Sequence, residues 1–220
     1  ILVRNRDDAL RAAKRLGLPV VIKPLDGNHG RGISIELEED EHILDGFDFA
    51  KEHSKNRSII VETFVKGFDH RMLVVNDDLV AVSKRVPGHV VGDGNSSVSD
   101  LIDAVNADPR RGVGHEKALT RLELDTKALE HLEELNYTPD TVLAEGETVY
   151  LRSTANLSTG GTAIDVTDIV HPDNREMAIR AVKAIGLDIG GVDFISLDIS
   201  QSYKDNGAAI CEINAAPGFR

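Results

Sequence analysis

Val20-Val21-Ile22-Lys23-Pro24-Leu25-Asp26-Gly27-Asn28-His29-Gly30-Arg31-Gly32 joins a short apolar run to a glycine-rich loop, with one lysine at the junction. Buried strands seldom carry lysine unless it is paired, and Pro24 removes a ladder donor directly after it. A strand that delivers one cation beside several free backbone N–H groups suits a polyphosphate; the plain alternative is a surface lysine before a long hairpin loop. The loop is neither a Walker loop nor a dinucleotide fingerprint, because it lacks the closing Lys-Ser/Thr and opens no long helix. It lies between two expected strands, 19–24 and 32–37, as a flap in which Gly27, Gly30 and Gly32 let the backbone approach phosphate oxygens. Asn28 lies within it, and His29 and Arg31 add polar or charged groups. Around it, Asp7 or Asp8 is expected to cap a helix to Leu16 that Gly17 closes. A helix over 39–53 and a strand over 58–64 complete a small α+β unit.

At the far end, Cys211-Glu212-Ile213-Asn214-Ala215-Ala216-Pro217-Gly218 brings a carboxylate and an amide to one face of a strand, since side chains alternate. Oxygen donors of this kind suit Mg²⁺, a hard octahedral ion. The third donor must come from the neighbouring strand, 191–199. A connection centred near Tyr203 would set Asp193 opposite Ile213 and Asp198 opposite Ala208, so Asp193 is the preferred partner and Asp198 the alternative. A solvated acidic hairpin is the plain alternative. Against it, Asp193 lies between Val192 and Phe194, and Glu212 between Cys211 and Ile213.

Between these ends, strands 71–75 and 79–86 meet at Asn76-Asp77-Asp78, a hairpin turn. Residues 87–97 read as a loop, 99–106 as a helix and 108–114 as a mobile segment. An amphipathic helix is expected over 124–135, a strand over 148–152, a polar loop over 156–161 and a helix over 172–185. The strand ending at Ile60-Val61-Glu62-Thr63-Phe64-Val65 can offer backbone groups to an adenine edge, with Glu62 or Asp69 as a carboxylate for a ribose. Arg71, Lys84, Arg85 and Arg152 lie on or beside strands, where an anionic substrate or transferring phosphoryl group needs clamps. His70, His89 and His115 read as loop or surface histidines.

The 220 residues allow a substantial core, and a net charge of −12 argues against non-specific nucleic-acid binding. One cysteine precludes an intrachain disulfide framework. No apolar run approaches the roughly 20 residues of a membrane span, and no signal peptide is visible. A cytoplasmic protein is expected, and the chain reads as an internal piece of a longer one.

Three motifs in this order resemble the ATP-grasp superfamily of carboxylate–amine ligases, and within it the cyanophycin synthetase family in its ATP-grasp region. They are residues 23–32, the run Asn156-Leu157-Ser158-Thr159-Gly160-Gly161-Thr162-Ala163, and residues 212–220. Residues 106–112 and 114–116 share the resemblance. It implies an α+β ATP-grasp fold, as a fragment: a small α+β lid over 1–62 carrying the phosphate loop, and a larger antiparallel-sheet subdomain over 63–220 with metal and acceptor sites. It implies ATP-dependent phosphorylation of the C-terminal carboxylate of cyanophycin, then attack by the amine of L-aspartate, giving ADP and phosphate. Lys23 would contact the α-phosphate, the loop with Gly27, Asn28, Gly30, Arg31 and Gly32 would cover the outer phosphates, and His29 would enter from that flap. Thr63 and Val65 would meet adenine, and Asp69 would hold the ribose. Asp193, Glu212 and Asn214 would bind magnesium. Arg71 with Ser158, Thr159 and Gly160 would sit against the polymer end, and Arg152 and Asn156 near the transferring phosphate. The full-length enzyme is expected to be a homo-oligomer. The rivals are another ATP-grasp ligase, of glutathione-synthetase or protein-tail type, and a non-catalytic ATP-binding module; the segment 156–163 speaks against the first and the complete donor set against the second.

Overall fold

The computed structural model describes residues 1–27, 31–114, 116–152 and 154–218. They divide into two units, Ile1–Val65 and Lys66–Arg220.

In the first unit the chain runs β1 (Leu2–Val3), α1 (Arg6–Leu16), β2 (Val20–Pro24), β3 (Ser34–Leu37), α2 (Asp40–His53) and β4 (Ile59–Thr63). The strands form an antiparallel sheet in the order β1-β4-β2-β3. Period-two alternation buries Val20 and Ile22 of β2 with Ile59 and Val61 of β4, against Ala9, Ala13, Ile43 and Phe47 of the helices. The opposite face of the same strands carries Lys23 and Glu62. The cap of α1 is Asn5 rather than Asp7 or Asp8. Asn5 has the extended backbone of a cap and its side chain accepts the Asp8 N–H at 2.9 Å, while the Asp8 carboxylate receives Asn5 Nδ2. Gly17 closes the helix at φ 85°.

The second unit runs β5 (Phe68–Val75), β6 (Asp78–Val86), β7 (His89–Val91), α3 (Val98–Asn106), β8 (Arg111–Gly112), β9 (Leu119–Thr120), α4 (Thr126–Glu134), β10 (Thr148–Tyr150), β11 (Thr162–Asp165), α5 (Pro172–Ala184), β12 (Ile189–Ser196), α6 (Tyr203–Asn206) and β13 (Ala209–Asn214). Its main sheet is antiparallel, ordered β11-β6-β5-β12-β13. Met72, Val74, Val82, Val192 and Phe194 bury one face of it against Met177, Ala178 and Val182 of α5. The β5–β6 turn places Asn76 and Asp77 in the left-handed region, at φ 48° and 65°, as a primed hairpin turn requires. A second core gathers Val90, Val98, Ile102, Leu122, Leu132, Leu143 and Val149. Among the described residues no helix is long and apolar enough to cross a membrane.

Four expectations are corrected. Residues 87–97 contain β7, which pairs with β10 far along the chain. Residues 108–114 contain β8, paired in parallel with β9 and anchored by buried Arg111. The connection after β12 holds one helical turn, α6, and β13 has a one-residue bulge at Cys211, between the partners of Asp193 and Phe194; together these set Asp193 opposite Glu212, not Ile213. His70 is 2% exposed, on the core face of β5 with Met72 and Val74.

Burial pushes the His70 imidazole below its ordinary pKa, with backbone contacts opposing and Lys84 and Arg85 assisting. The unfolded chain accepts a proton near pH 6.5 that the folded chain refuses. Stability from this group is therefore full above about pH 6.5 and falls as the pH drops below it. One such proton changes stability by at most about 1.4 kcal/mol per pH unit. Urea midpoints between pH 7.5 and 5.5 should fall less steeply for His70→Phe than for the natural chain; equal slopes would show that His70 does not contribute.

Candidate functional site

In the first unit the sequence places the lysine of the opening stretch on the half-buried face of β2. Lys23 Nζ lies 2.6 Å from Glu62 Oε2, across the β2–β4 ladder, where Val21 is opposite Glu62 and Lys23 opposite Ile60. The pair supplies a cation and an acid fixed by two central strands. Gly27 closes a turn on Pro24 O, and a side chain there would meet Pro24 Cγ at 2.6 Å. Gly32 has φ 73°, and a Cβ would lie 2.6 Å from His53 Cβ, so both positions exclude larger residues. Arg31 and Thr63 are exposed, and Val65 is half-buried. Asn28, His29 and Gly30 lie outside the described residues, as do His115, Phe219 and Arg220.

In the second unit one face of the main sheet carries a row of charge. Asp193 on β12 lies directly opposite Arg71 on β5 and Glu212 on β13. Asp193 is 6% exposed and receives Arg71 Nε at 2.5 Å and Nη2 at 3.3 Å. Arg85 Nη2 lies 3.2 Å from the same carboxylate and donates to both oxygens of Asp69, at 2.6 and 2.7 Å. Burial works against the Arg85 charge, but Asp69 and then Asp193 hold its pKa above the ordinary value. Burial pushes the Asp69 carboxyl up in turn, but its two contacts to Nη2 keep the ion pair the governing form. Gly191 makes room for this row: a Cβ there would lie 2.6 Å from Pro217 Cβ and 3.2 Å from Arg71 Cδ.

Asn214 stands beside both carboxylates. Its Nδ2 is 3.0 Å from Glu212 Oε1 and 3.4 Å from Asp193 Oδ2. The three expected metal ligands are thus gathered around one amide. Among the described residues no group of three or more His, Cys, Asp or Glu is placed to hold a metal, so the donor set is two carboxylates and an amide. Asp198 is not part of it; its carboxylate closes a turn by accepting Ser200 N–H at 2.9 Å, the Ser200 hydroxyl and Gln201 Nε2. Lys84 leaves the cation set too, since it pairs with His70 on the core-facing side of the sheet and lies over the Phe68 ring.

The third feature is a cavity of about 230 Å³ in the second unit, bordered by Arg121, Glu123, Asp125, Arg152, Ser158 and Thr159. Arg152 donates to both oxygens of Asp125 at 2.7 Å. Asn156 caps the short 3₁₀ turn 157–159: its Oδ1 accepts Ser158 N–H at 3.1 Å and the Ser158 hydroxyl at 2.9 Å. Thr159 Oγ1 donates to Asn156 O. Gly160 is left-handed at φ 91°, and a Cβ would come within 2.6 Å of Leu122 Cδ2. The expected catalytic residues Arg152 and Asn156 therefore lie at this cavity and its loop.

Arg111 escaped the sequence reading. It is 9% exposed, and Nη1 donates to Thr120 O at 2.6 Å and Gly160 O at 3.1 Å, joining the stretch before the cavity to the loop after it. Burial lowers its pKa, Asp108 opposes and Arg110 assists. The only signal was its place in the motif-like run 106–112. Arg111→Met should strand two carbonyls and cost about 1–3 kcal/mol, read as a thermal midpoint lower by several degrees; an unchanged midpoint would deny the clamp.

The chain is similar to known proteins. A family model described as the carbamoyl-phosphate synthase L chain ATP-binding domain matches residues 1–85, and one described as the RimK-like ATP-grasp domain matches residues 141–220. A cyanophycin synthetase of Crocosphaera subtropica is 53% identical over 204 residues, 93% of this chain and 23% of that protein. A glutathione biosynthesis bifunctional protein of Clostridium perfringens is 34% identical over 91% of this chain and 26% of its own length. The crystal structure of a bifunctional glutathione synthetase from Pasteurella multocida superposes with a TM-score of 0.69 at 32% identity, covering 99% of this chain and 30% of that one. The chain spans about a quarter of the length of the curated relatives it matches.

Proposed function

The chain is an ATP-grasp domain homologous to a region of the cyanophycin synthetases, and from that premise we propose that it carries the ATP-dependent carboxylate–amine ligase centre of its parent protein. The reaction is phosphorylation of the C-terminal carboxylate of a cyanophycin primer by ATP, followed by amide formation with L-aspartate. The observation that carries the reading is the row Arg71–Asp193–Glu212 with Asn214, two cross-strand acids and an amide on one sheet face beside two arginines.

A carboxylate is a poor electrophile, and a phosphoryl group gives it a leaving group. Charge then accumulates on the transferring phosphate and on the tetrahedral carbon, where fixed cations stabilise it without reorganising. Lys23, held by Glu62, is the phosphate cation of the first unit. Thr63 and Val65 offer backbone groups to adenine, and Asp69, oriented by Arg85, serves the ribose. Arg71 orients the primer carboxylate, and Ser158, Thr159 and Gly160 line its path. Arg152 and Asn156 are assigned to the neighbourhood of the transferring phosphate.

The donor set fits magnesium: Asp193 and Glu212 give carboxylate oxygens and Asn214, turned about its last bond, gives Oδ1. Magnesium held there would neutralise phosphate charge. The chain's own task is to keep these three groups converged on adjacent strands.

The test is a synthesis assay on the full-length parent with ATP and primer, supplying aspartate and arginine separately. Aspartate-dependent release of phosphate is expected. Phosphate release that ignores aspartate and primer would reject this reading.

A further inference from the structure

The cavity at the loop 156–161 carries charges that the reaction as described does not use. Residues 121–125 read Arg-Leu-Glu-Leu-Asp, and the alternation is kept in the structure. Leu122 is buried in the second core and Leu124 packs against it, while Arg121, Glu123 and Asp125 border the cavity. Arg152 and Asp125 neutralise each other through two 2.7 Å contacts. Arg121 and Glu123 are exposed and have no side-chain ion pair or hydrogen bond among the described residues, so the cavity keeps one uncommitted cation and one uncommitted anion. Its two borders are tied together by Arg111 through the carbonyls of Thr120 and Gly160, so these charges stand on a braced frame.

We propose that this cavity receives the free amino acid that supplies the amine, with Glu123 accepting from its ammonium and Arg121 binding its α-carboxylate. The proposal rests on the ligase reading above. A balanced pair of opposite charges matches the head group of a zwitterion. Size agrees: about 230 Å³, below the roughly 300–1,000 Å³ of sites for drug-sized ligands, is room for one amino acid. Position agrees as well, because two reactants gain most when held side by side. Ser158 and Thr159, assigned to the primer, border the same cavity.

The experiment titrates L-aspartate calorimetrically into the full-length parent protein with a non-hydrolysable ATP analogue present. It compares the natural protein with Glu123→Gln and Arg121→Ala, both exposed positions at which the thermal midpoint should hold. Each variant should weaken aspartate binding about ten- to a hundredfold and leave primer binding unchanged. Unchanged aspartate affinity in both variants overturns the proposal, as does weakened primer binding with intact aspartate binding, which would make this a polymer site. A natural protein that binds aspartate through these residues yet forms no amide would overturn the ligase reading and leave the cavity assignment standing.

Discussion

Glu212→Gln in the full-length parent should lower aspartate addition by at least about a hundredfold while the fold persists. The substitution keeps the length of the side chain and an Oε1 that still accepts Asn214 Nδ2, now at 3.0 Å, so the β12–β13 pair loses no structural bond. What it removes is one of two negative charges at the site proposed to hold a divalent cation beside polyphosphate. Asp193→Asn should act on both counts. It removes charge at the donor set and also takes from Arg71 the buried carboxylate it contacts, while Arg85 keeps its pair with Asp69. Loss of a buried partner costs about 3–5 kcal/mol, so this variant should unfold earlier as well as turn over slowly. The two are separated by measuring thermal midpoints beside initial rates over a magnesium titration. Near-normal turnover for Glu212→Gln would remove it from the metal assignment.

The contrast between these two acids also indicates what the sequence made legible. Periodicity is local, and where it governs, the expected and observed elements coincide: β2 with Lys23, α2 over Asp40–His53, and the alternation that puts Glu212 and Asn214 on one face. Parity along a single strand also carries a signal for burial. His70, Met72 and Val74 share a face of β5, but the charged neighbours Asp69 and Arg71 made His70 read as surface. Register between strands is not local. It depends on the α6 turn and on a one-residue bulge at Cys211 of β13, which nothing in the flanking residues announces, so the sequence marks Asp193 as a strand acid but not the residue it faces. The β7–β10 and β8–β9 pairs and the Arg111 clamp depend on partners distant in the chain, and short segments rich in turn formers do not reveal them.

The acceptor assignment gives the second large effect. A polymer end with a free carboxylate needs a cation to orient it and a polar group to fix its last amide. Arg71 is rigid because β5 is a central strand and because Gly191 leaves it room to lie along β12 toward Asp193. Ser158 is exposed at the cavity, its hydroxyl held by Asn156 Oδ1 at 2.9 Å, which leaves the oxygen free to accept from a substrate amide. Arg71→Ala and Ser158→Ala in the full-length enzyme should therefore chiefly weaken use of the primer. Loss of one charge-assisted contact costs roughly 1.5–3 kcal/mol, or about ten- to a hundredfold in the specificity constant for primer; Ser158→Ala, which removes a neutral acceptor, should sit at the lower end. Affinity for ATP should change far less. Arg71→Lys separates charge from shape: it keeps one cation but loses the fork that contacts Asp193 through Nε and Nη2. Partial recovery of primer use by Arg71→Lys would mean that charge at the polymer end is what Arg71 supplies. If instead the Arg71 and Ser158 variants lose ATP binding and keep normal primer kinetics, both residues belong to the nucleotide site and the acceptor must be sought elsewhere on the chain.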